Sequence, residues 1–238
     1  MTKCKNCGNV FDGKYCNNCG QSASVKRIDH EFLWDDIQHG ILHYDKGLGY
    51  SLKKLFTQPG SVISGYIAGQ RVNHFRPISM VIILATLYAV IYHFLDLDSR
   101  PYLDEPSGEI LEKIFEHYYW FVIATIPLYA LTTYIFFKKC GYNFYEFLIF
   151  EAFKTSQRLS VHILFLPIFY FLKDQYHFNI VSKLLILIDF LLILWVNIQF
   201  FSKMGLKEIL VKSILSYIMY LMIVILIFAF ILFIMFQF

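Results

Sequence analysis

The sequence predicts an all-α polytopic membrane protein with a small Cys-rich head, and three observations carry that reading. Of 238 residues, 57% are hydrophobic and 19% aromatic at a mean hydropathy of +0.52, too apolar for a soluble domain. The excess sits in long runs after Pro77. Ahead of them, Cys4, Cys7, Cys16 and Cys19 form two C-x2-C pairs eight residues apart, in the echoing segments CKNCG and CNNCG.

Runs of about 18 to 25 apolar residues are the unit of a helical span. Five are expected, at 77–95, 118–137, 158–172, 178–201 and 210–236. Pro77 suits the first turn of the first span, and Tyr118, Tyr119 and Trp120 form an aromatic belt at the mouth of the second. The third is short and extends backwards through the amphipathic stretch 142–153. Pro127 and Pro167 imply kinks. The N-terminal residues carry Cys pairs rather than a short apolar run, so no secretory signal peptide is expected. Placing the N-terminus inside puts 17 of the 21 Lys and Arg residues on the inner side and leaves Arg100, Lys113, Lys173 and Lys183 outside. That asymmetry predicts a cytoplasmic N-terminus and an external C-terminus. The outer segment 96–117 holds seven acids and two bases, a solvated acidic cap without cation-ligand spacing.

The Cys pairs read as a Cys4 zinc ribbon over residues 1–21. Tetrahedral Zn2+ takes thiolates at about 2.3 Å, and each C-x2-C turn presents two from one knuckle. Gly8 and Gly20, one after each pair, supply the positive φ that turns the chain beneath a metal. One structural zinc is expected, because four sulfurs leave no position open for water or substrate. Two disulfides are the competing account, favoured by an oxidising compartment. A thioredoxin-like redox pair would want a surrounding βαβ pattern, which this sequence lacks.

Residues 22–76 read as a linker followed by amphipathic helices. Residues 22–29 are polar, after which Leu33, Ile37, Ile41 and Tyr44 share one helical face. Leu52, Leu55 and Phe56 share another beside Lys53 and Lys54, Pro59-Gly60 breaks that helix, and Val62, Ile63, Tyr66 and Ile67 open the next. Helices too short or too polar to span are expected at the headgroups, with Lys53, Lys54, Arg71 and Arg76 at the membrane interface. Packing on the ribbon as a small soluble domain is the alternative.

The knuckles CKNCG and YCNNCGQ, followed by KGLGYSLKKLFTQPGSVISGYIAGQRVNHFRPIS, resemble the bacterial membrane family catalogued as domain of unknown function 3667. The likeness rests on Lys46, Gly47, Leu48, Pro59, Gly60, Tyr66, Ile67, Gly69, Arg71 and Pro77, within about the first 80 residues. It implies an integral protein of the bacterial cytoplasmic (inner) membrane with a zinc-ribbon head, and it brings no activity with it.

Ionisable residues inside spans cost about 2.5 to 3.5 kcal/mol at the helix centre, so each asks for an account. Asp189 stands near the middle of the fourth span, with Ser182 and Asn197 extending a polar stripe. Glu151, Thr155, Arg158 and His162 share a face of the third helix. These residues form a candidate intramembrane site for an ion or proton path, with His162 the residue most easily moved across neutral pH. Hydrogen bonds that fix helix packing are the plainer reading. At 1.5 Å rise, His162 falls roughly 7 Å inside the inner boundary and Asp189 roughly 18 Å, which predicts no direct pair between them.

Cys140 stands alone, and His30, His39, His43 and His74 lack ligand spacing. No H-E-x-x-H, G-x-S-x-G, P-loop or G-x-G-x-x-G occurs, and no catalytic residue is assigned. The preferred function is a membrane-anchored interaction or assembly module that lives in the lipid bilayer and meets a protein partner through the zinc ribbon. Nucleic acid is not an expected partner. A small-solute or ion transporter or channel around Asp189 is the rival, and a membrane-embedded enzyme comes third.

Overall fold

The computed structural model describes residues 1–40, 47–97, 118–172 and 175–235. Ile41, His43, Tyr44, Lys46, Arg100, Lys113 and Lys173 lie outside them, as do residues 98–117 of the acidic segment 96–117.

The head is a minimal ribbon. Strand β1 (Thr2–Lys3) pairs antiparallel with β2 (Val10–Phe11), Thr2 opposite Phe11 and Lys3 opposite Val10, and Tyr15 bridges Ser22. Its own core is Cys4, Phe11 and Cys16, with Cys19 and Ala23 against them. That is too little apolar surface to hold a fold by burial alone.

Three short helices form a collar. Helix α1 (His30–Gly40) is opened by Asp29, whose Oδ1 accepts from Phe32 N at 2.9 Å. Helix α2 (Leu48–Leu55) ends before Pro59, which occupies the first turn of α3 (Pro59–Ala68). Gly69 closes α3 at φ 110°, a left-handed conformation that glycine adopts without a Cβ penalty. The chain then turns towards the first long helix, pinned where Phe75 N donates to the buried Ser51 Oγ at 2.8 Å.

The long helices are α4 (Pro77–Phe94), α5 (Tyr118–Phe137), α6 (Phe144–Phe171), α7 (Gln175–Phe200) and α8 (Leu206–Met235). A 3-10 turn, Lys138–Cys140, ends on Gly141 at φ 84° and leads to α6. There a capping box forms: Asn143 Oδ1 accepts from Glu146 N, and Glu146 Oε2 accepts from Asn143 N, both at 2.8 Å.

Among the described residues, four helices are long and apolar enough to cross a membrane: Pro77–Phe94, Trp120–Cys140, Tyr176–Phe200 and Leu206–Ile231. The fifth expected span, 158–172, is the second half of α6. At 28 residues α6 reaches roughly 42 Å, long enough to cross, but Glu146, Glu151, Lys154 and Arg158 remove it from the apolar class. Packing explains the difference. The first half of α6 is buried from Glu146 to Leu159 between α4 and α5, with α2 and α3 beside it, so its charges meet protein.

The core gathers at the end where ribbon, collar and 3-10 turn meet. Phe137 stacks on Phe201 at 4.0 Å, Phe150 lies 4.5 Å from Phe200, and Tyr66 meets Phe153 edge-on at 5.2 Å. The apolar faces of α2 and α3 join this core through Leu55, Val62, Ile63, Tyr66 and Ile67, and so face protein. Towards the other end side chains splay outward, with Phe94 86% and Phe171 75% exposed, and α8 shows Met222, Ile225, Leu226 and Phe230 to its surroundings. An apolar periphery of this kind suits lipid.

Candidate metal centre and buried polar clusters

Each knuckle repeats one hydrogen-bond scheme. Cys4 N donates to Asn9 O at 2.8 Å and Gly8 N to Cys4 O at 3.0 Å, and Cys16 N donates to Gln21 O and Gly20 N to Cys16 O, both at 2.8 Å. Gly8 and Gly20 both sit at φ 76°. The repeat brings the four sulfurs within 4.8 Å of one another, with Cys4 Sγ 3.5 Å from Cys19 Sγ and Cys7 Sγ 3.6 Å from Cys16 Sγ. A tetrahedral ion with 2.3 Å bonds needs sulfurs about 3.8 Å apart, so the cluster fits a metal. The backbone N–H of Asn9 lowers the Cys7 pKa, joined by the Asn18 side chain. Burial pushes Cys16 up, but the backbone N–H groups of Asn18 and Cys19 outweigh it and bring the thiol to about 6. Against the Gln21 N–H, burial and the thiols of Cys4 and Cys7 push Cys19 up to about 11. Thiolates are the metal-binding form.

The ribbon is docked on the collar. Gln21, two residues after Cys19, donates from Nε2 to Gly69 O at 3.1 Å, and its Oε1 accepts from Arg71 N at 3.4 Å. Arg71 lies 4.2 Å over the Phe32 ring and donates to Tyr66 O and Lys26 O, joining α1, α3 and the segment after the ribbon. That segment is also anchored: Ile28 is fully buried, Arg27 grips Glu146 with two bonds of 2.7 and 2.8 Å, and Ile28 O accepts from Asn143 Nδ2 at 2.9 Å. Arg76 Nε lies 3.7 Å from Asp36 Oδ1, with Asp36 2% exposed. Burial raises the Asp36 carboxyl to about 6 against the opposing pull of Arg76. Burial lowers His74, helped by Lys54. Lys53 is exposed, and Lys54 lies 5.9 Å over the Tyr50 ring.

Within the bundle, Glu151 and Lys154 form an ion pair of 2.9 Å with both side chains at most 1% exposed. Glu151 Oε1 also accepts from Thr133 Oγ1 at 2.8 Å, Thr133 lies 3.3 Å from Ser216 Oγ, and Lys154 Nζ lies 4.5 Å over the Tyr129 ring. Lys154, Thr133 and Ser216 escaped the sequence reading, although the i, i+3 spacing of Glu151 and Lys154 on an apolar helix was a signal for them. Arg158 lies 6.0 Å over the same Tyr129 ring.

His162 Nε2 lies 2.9 Å from Asp189 Oδ2, a direct pair that corrects the depth estimate. Depth taken from Arg158, the start of a short third span, leaves out the fourteen residues of the same helix that precede it. Continuous from Phe144, α6 places His162 eighteen residues into the helix, roughly 27 Å, alongside the middle of α7, where Asp189 stands. The expected stripe on α7 divides: Ser182 Oγ donates to its own helix at Phe178 O, whereas Asn197 Nδ2 donates to Ser213 Oγ on α8 at 2.8 Å. Cys140 Sγ meets Met204 Sδ at 3.3 Å, and His30 packs 6.3 Å from Tyr145.

No curated protein and no solved structure matches the chain. The stretch that supplies α2, α3, the Arg71 anchor and the first turns of α4 does have a likeness: residues 45–89 match the family described as Protein of unknown function (DUF3667).

Proposed function

We propose that the chain is a membrane-anchored interaction or assembly module of the bacterial inner membrane, whose head is a zinc-loaded ribbon fixed to the collar on the cytoplasmic side. The carrying observation is the docking of the ribbon through Gln21 on Gly69 and Arg71, which makes ribbon and collar one surface. Zn2+ suits a four-thiolate set and would be structural there. The basic-residue asymmetry supports a cytoplasmic head and an external C-terminus. The ribbon offers a partner Val10, 57% exposed, and Tyr15, 67% exposed, on a scaffold without open metal coordination.

A photo-crosslinking residue placed at Tyr15 in native membranes tests this. The expected result is one discrete protein adduct that disappears when the metal is stripped. Crosslinks to lipid alone, or none, would reject the partner. Transport is the second reading, favoured by the His162–Asp189 pair between two long helices. Solute or proton flux in liposomes that is lost in Asp189→Asn would establish it in place of the first.

A further inference from the structure

A cleft of about 990 Å3 opens between the ribbon and the collar. Gln21, Asp36, Tyr50, Arg71, His74 and Arg76 are among its lining residues, and none of the roles assigned above uses it as a container. Its size lies at the upper end of small-molecule sites. Its place is the membrane boundary, because Arg76 directly precedes Pro77, the first residue of a span.

Three features define what it would hold. First, two guanidinium groups line it, and that of Arg71 is fixed in direction by Phe32 and by bonds to Tyr66 O and Lys26 O, which engage two of its five N–H groups. Oriented guanidinium is the side chain best matched to phosphate oxygens. Second, two buried polar atoms on its walls, Asp36 Oδ2 and His74 Nδ1, have no hydrogen-bond partner among the described residues. A buried carboxylate oxygen left unpaired is costly, and a ligand hydroxyl or ammonium would satisfy it. Third, the rings of Tyr50 and Tyr66 flank His74 at 5.4 and 6.4 Å, giving that side a rigid wall.

We propose that the cleft binds a phosphate ester that also carries a hydroxyl or ammonium donor, with the phosphate on Arg71 and Arg76 and the donor on Asp36. A phospholipid headgroup and a small soluble phosphate ester share this chemistry. The proposal rests on the cleft walls alone and is independent of any protein partner at Tyr15.

Calorimetric titration of the purified, metal-loaded full chain in detergent tests it, with sn-glycerol 3-phosphate, phosphoethanolamine, dihexanoyl phosphatidylethanolamine and phosphate-free dihexanoylglycerol as probes. The phosphate-bearing probes are expected to bind and dihexanoylglycerol to fail. Arg71→Gln should weaken binding at least tenfold. His74→Phe, which keeps the ring packing but removes the polar Nδ1 from the cleft wall, should weaken it several-fold and serves if Arg71→Gln does not fold. Asp36→Asn should reduce phosphoethanolamine binding more than glycerol phosphate binding, because an amide oxygen still accepts from a hydroxyl but no longer pairs with an ammonium. Tenfold tighter binding of the short-chain lipid than of phosphoethanolamine assigns the site to a headgroup, and equal binding assigns it to a soluble ester. No binding of any phosphate probe, equal binding of dihexanoylglycerol, or unchanged affinity in both His74→Phe and Asp36→Asn overturns the proposal.

Discussion

Gly60→Ala sets two effects against each other. Gly60 lies in the first turn of α3 at an ordinary negative φ, where helix propensity alone would favour alanine by up to about 1 kcal/mol. Its added Cβ, however, would stand 2.4 Å from the carbonyl carbon of Gln199, 2.5 Å from that carbonyl oxygen and 2.6 Å from the Gln199 Cβ. Carbon atoms pack at about 3.5 to 4.0 Å, and two of the three neighbours are backbone, which cannot rotate away. The variant must therefore push α3 off the end of α7 by about 1 Å. That loosens the 3.3 Å bond from Gly60 N to Gln199 Oε1 and opens the packing of Val62, Ile63 and Tyr66. Overpacking of this kind costs about 1 to 3 kcal/mol, which exceeds the propensity gain. Gly49→Ala is the control: Gly49 is exposed in α2 and has nothing within 4 Å of its Cβ position, so neutrality or a gain of a few tenths of a kcal/mol is expected. Thermal melts in detergent, followed by the folded peak on size exclusion, should place Gly60→Ala clearly below the parent and Gly49→Ala level with it. A Gly60→Ala melt equal to that of Gly49→Ala would refute the close approach of α3 to α7.

Lys154→Met should lower stability by about 3 to 5 kcal/mol by stranding the Glu151 carboxylate, and adding Glu151→Leu should recover most of the loss in the same melts. Asp36 has a folded pKa of about 6 against a reference of 3.8, so its contribution to stability is fully present below the unfolded value and is lost as pH rises to about 6, by at most about 3 kcal/mol. Asp36→Asn should flatten melting temperature between about pH 4 and 6, and an unchanged slope would remove Asp36 as its source. Asp189→Asn keeps an acceptor for His162 and should leave folding and abundance near the parent, whereas Asp189→Leu should cost about 1 to 2 kcal/mol by removing the His162–Asp189 hydrogen bond.

The parts legible in the sequence were those that a local pattern controls. Four cysteines at knuckle spacing, a Pro at the start of α3 and α4, and four long apolar runs each follow from a few neighbouring residues. What escaped depends on residues distant in sequence. The polar segment 22–29 reads as a linker, yet Ile28 is fully buried and Arg27 reaches Glu146, a contact 119 positions away. Likewise α6 reads as a short span with an amphipathic preface. Its preface is the centre of the core, and the displaced depth scale hid the His162–Asp189 pair. The sequence shows that Gly60 lacks a side chain, and only the fold brings Gln199 against it.

The docked ribbon links metal binding to the geometry of the collar. Gln21 follows the last cysteine of the cluster, Cys19, by two residues, and its backbone O holds the second knuckle through Cys16 N while its side chain holds Gly69 and Arg71. A ribbon whose own core is three side chains would depend on a metal held by its four cysteines, so stripping that ion should release the knuckle and both of those bonds together. Hydrogen exchange reads this directly. After chelation, amides across residues 69–74 should exchange faster, because Arg71 N and the Gly69 carbonyl lose Gln21, while those of α6 from Phe147 to Gln157, buried among α4 and α5, should keep their protection. Unchanged exchange at 69–74 on complete metal removal would show that the collar holds its shape without the ribbon. Faster exchange confined to that turn would make the metal a positioning element for Arg71, and through it for one wall of the cleft.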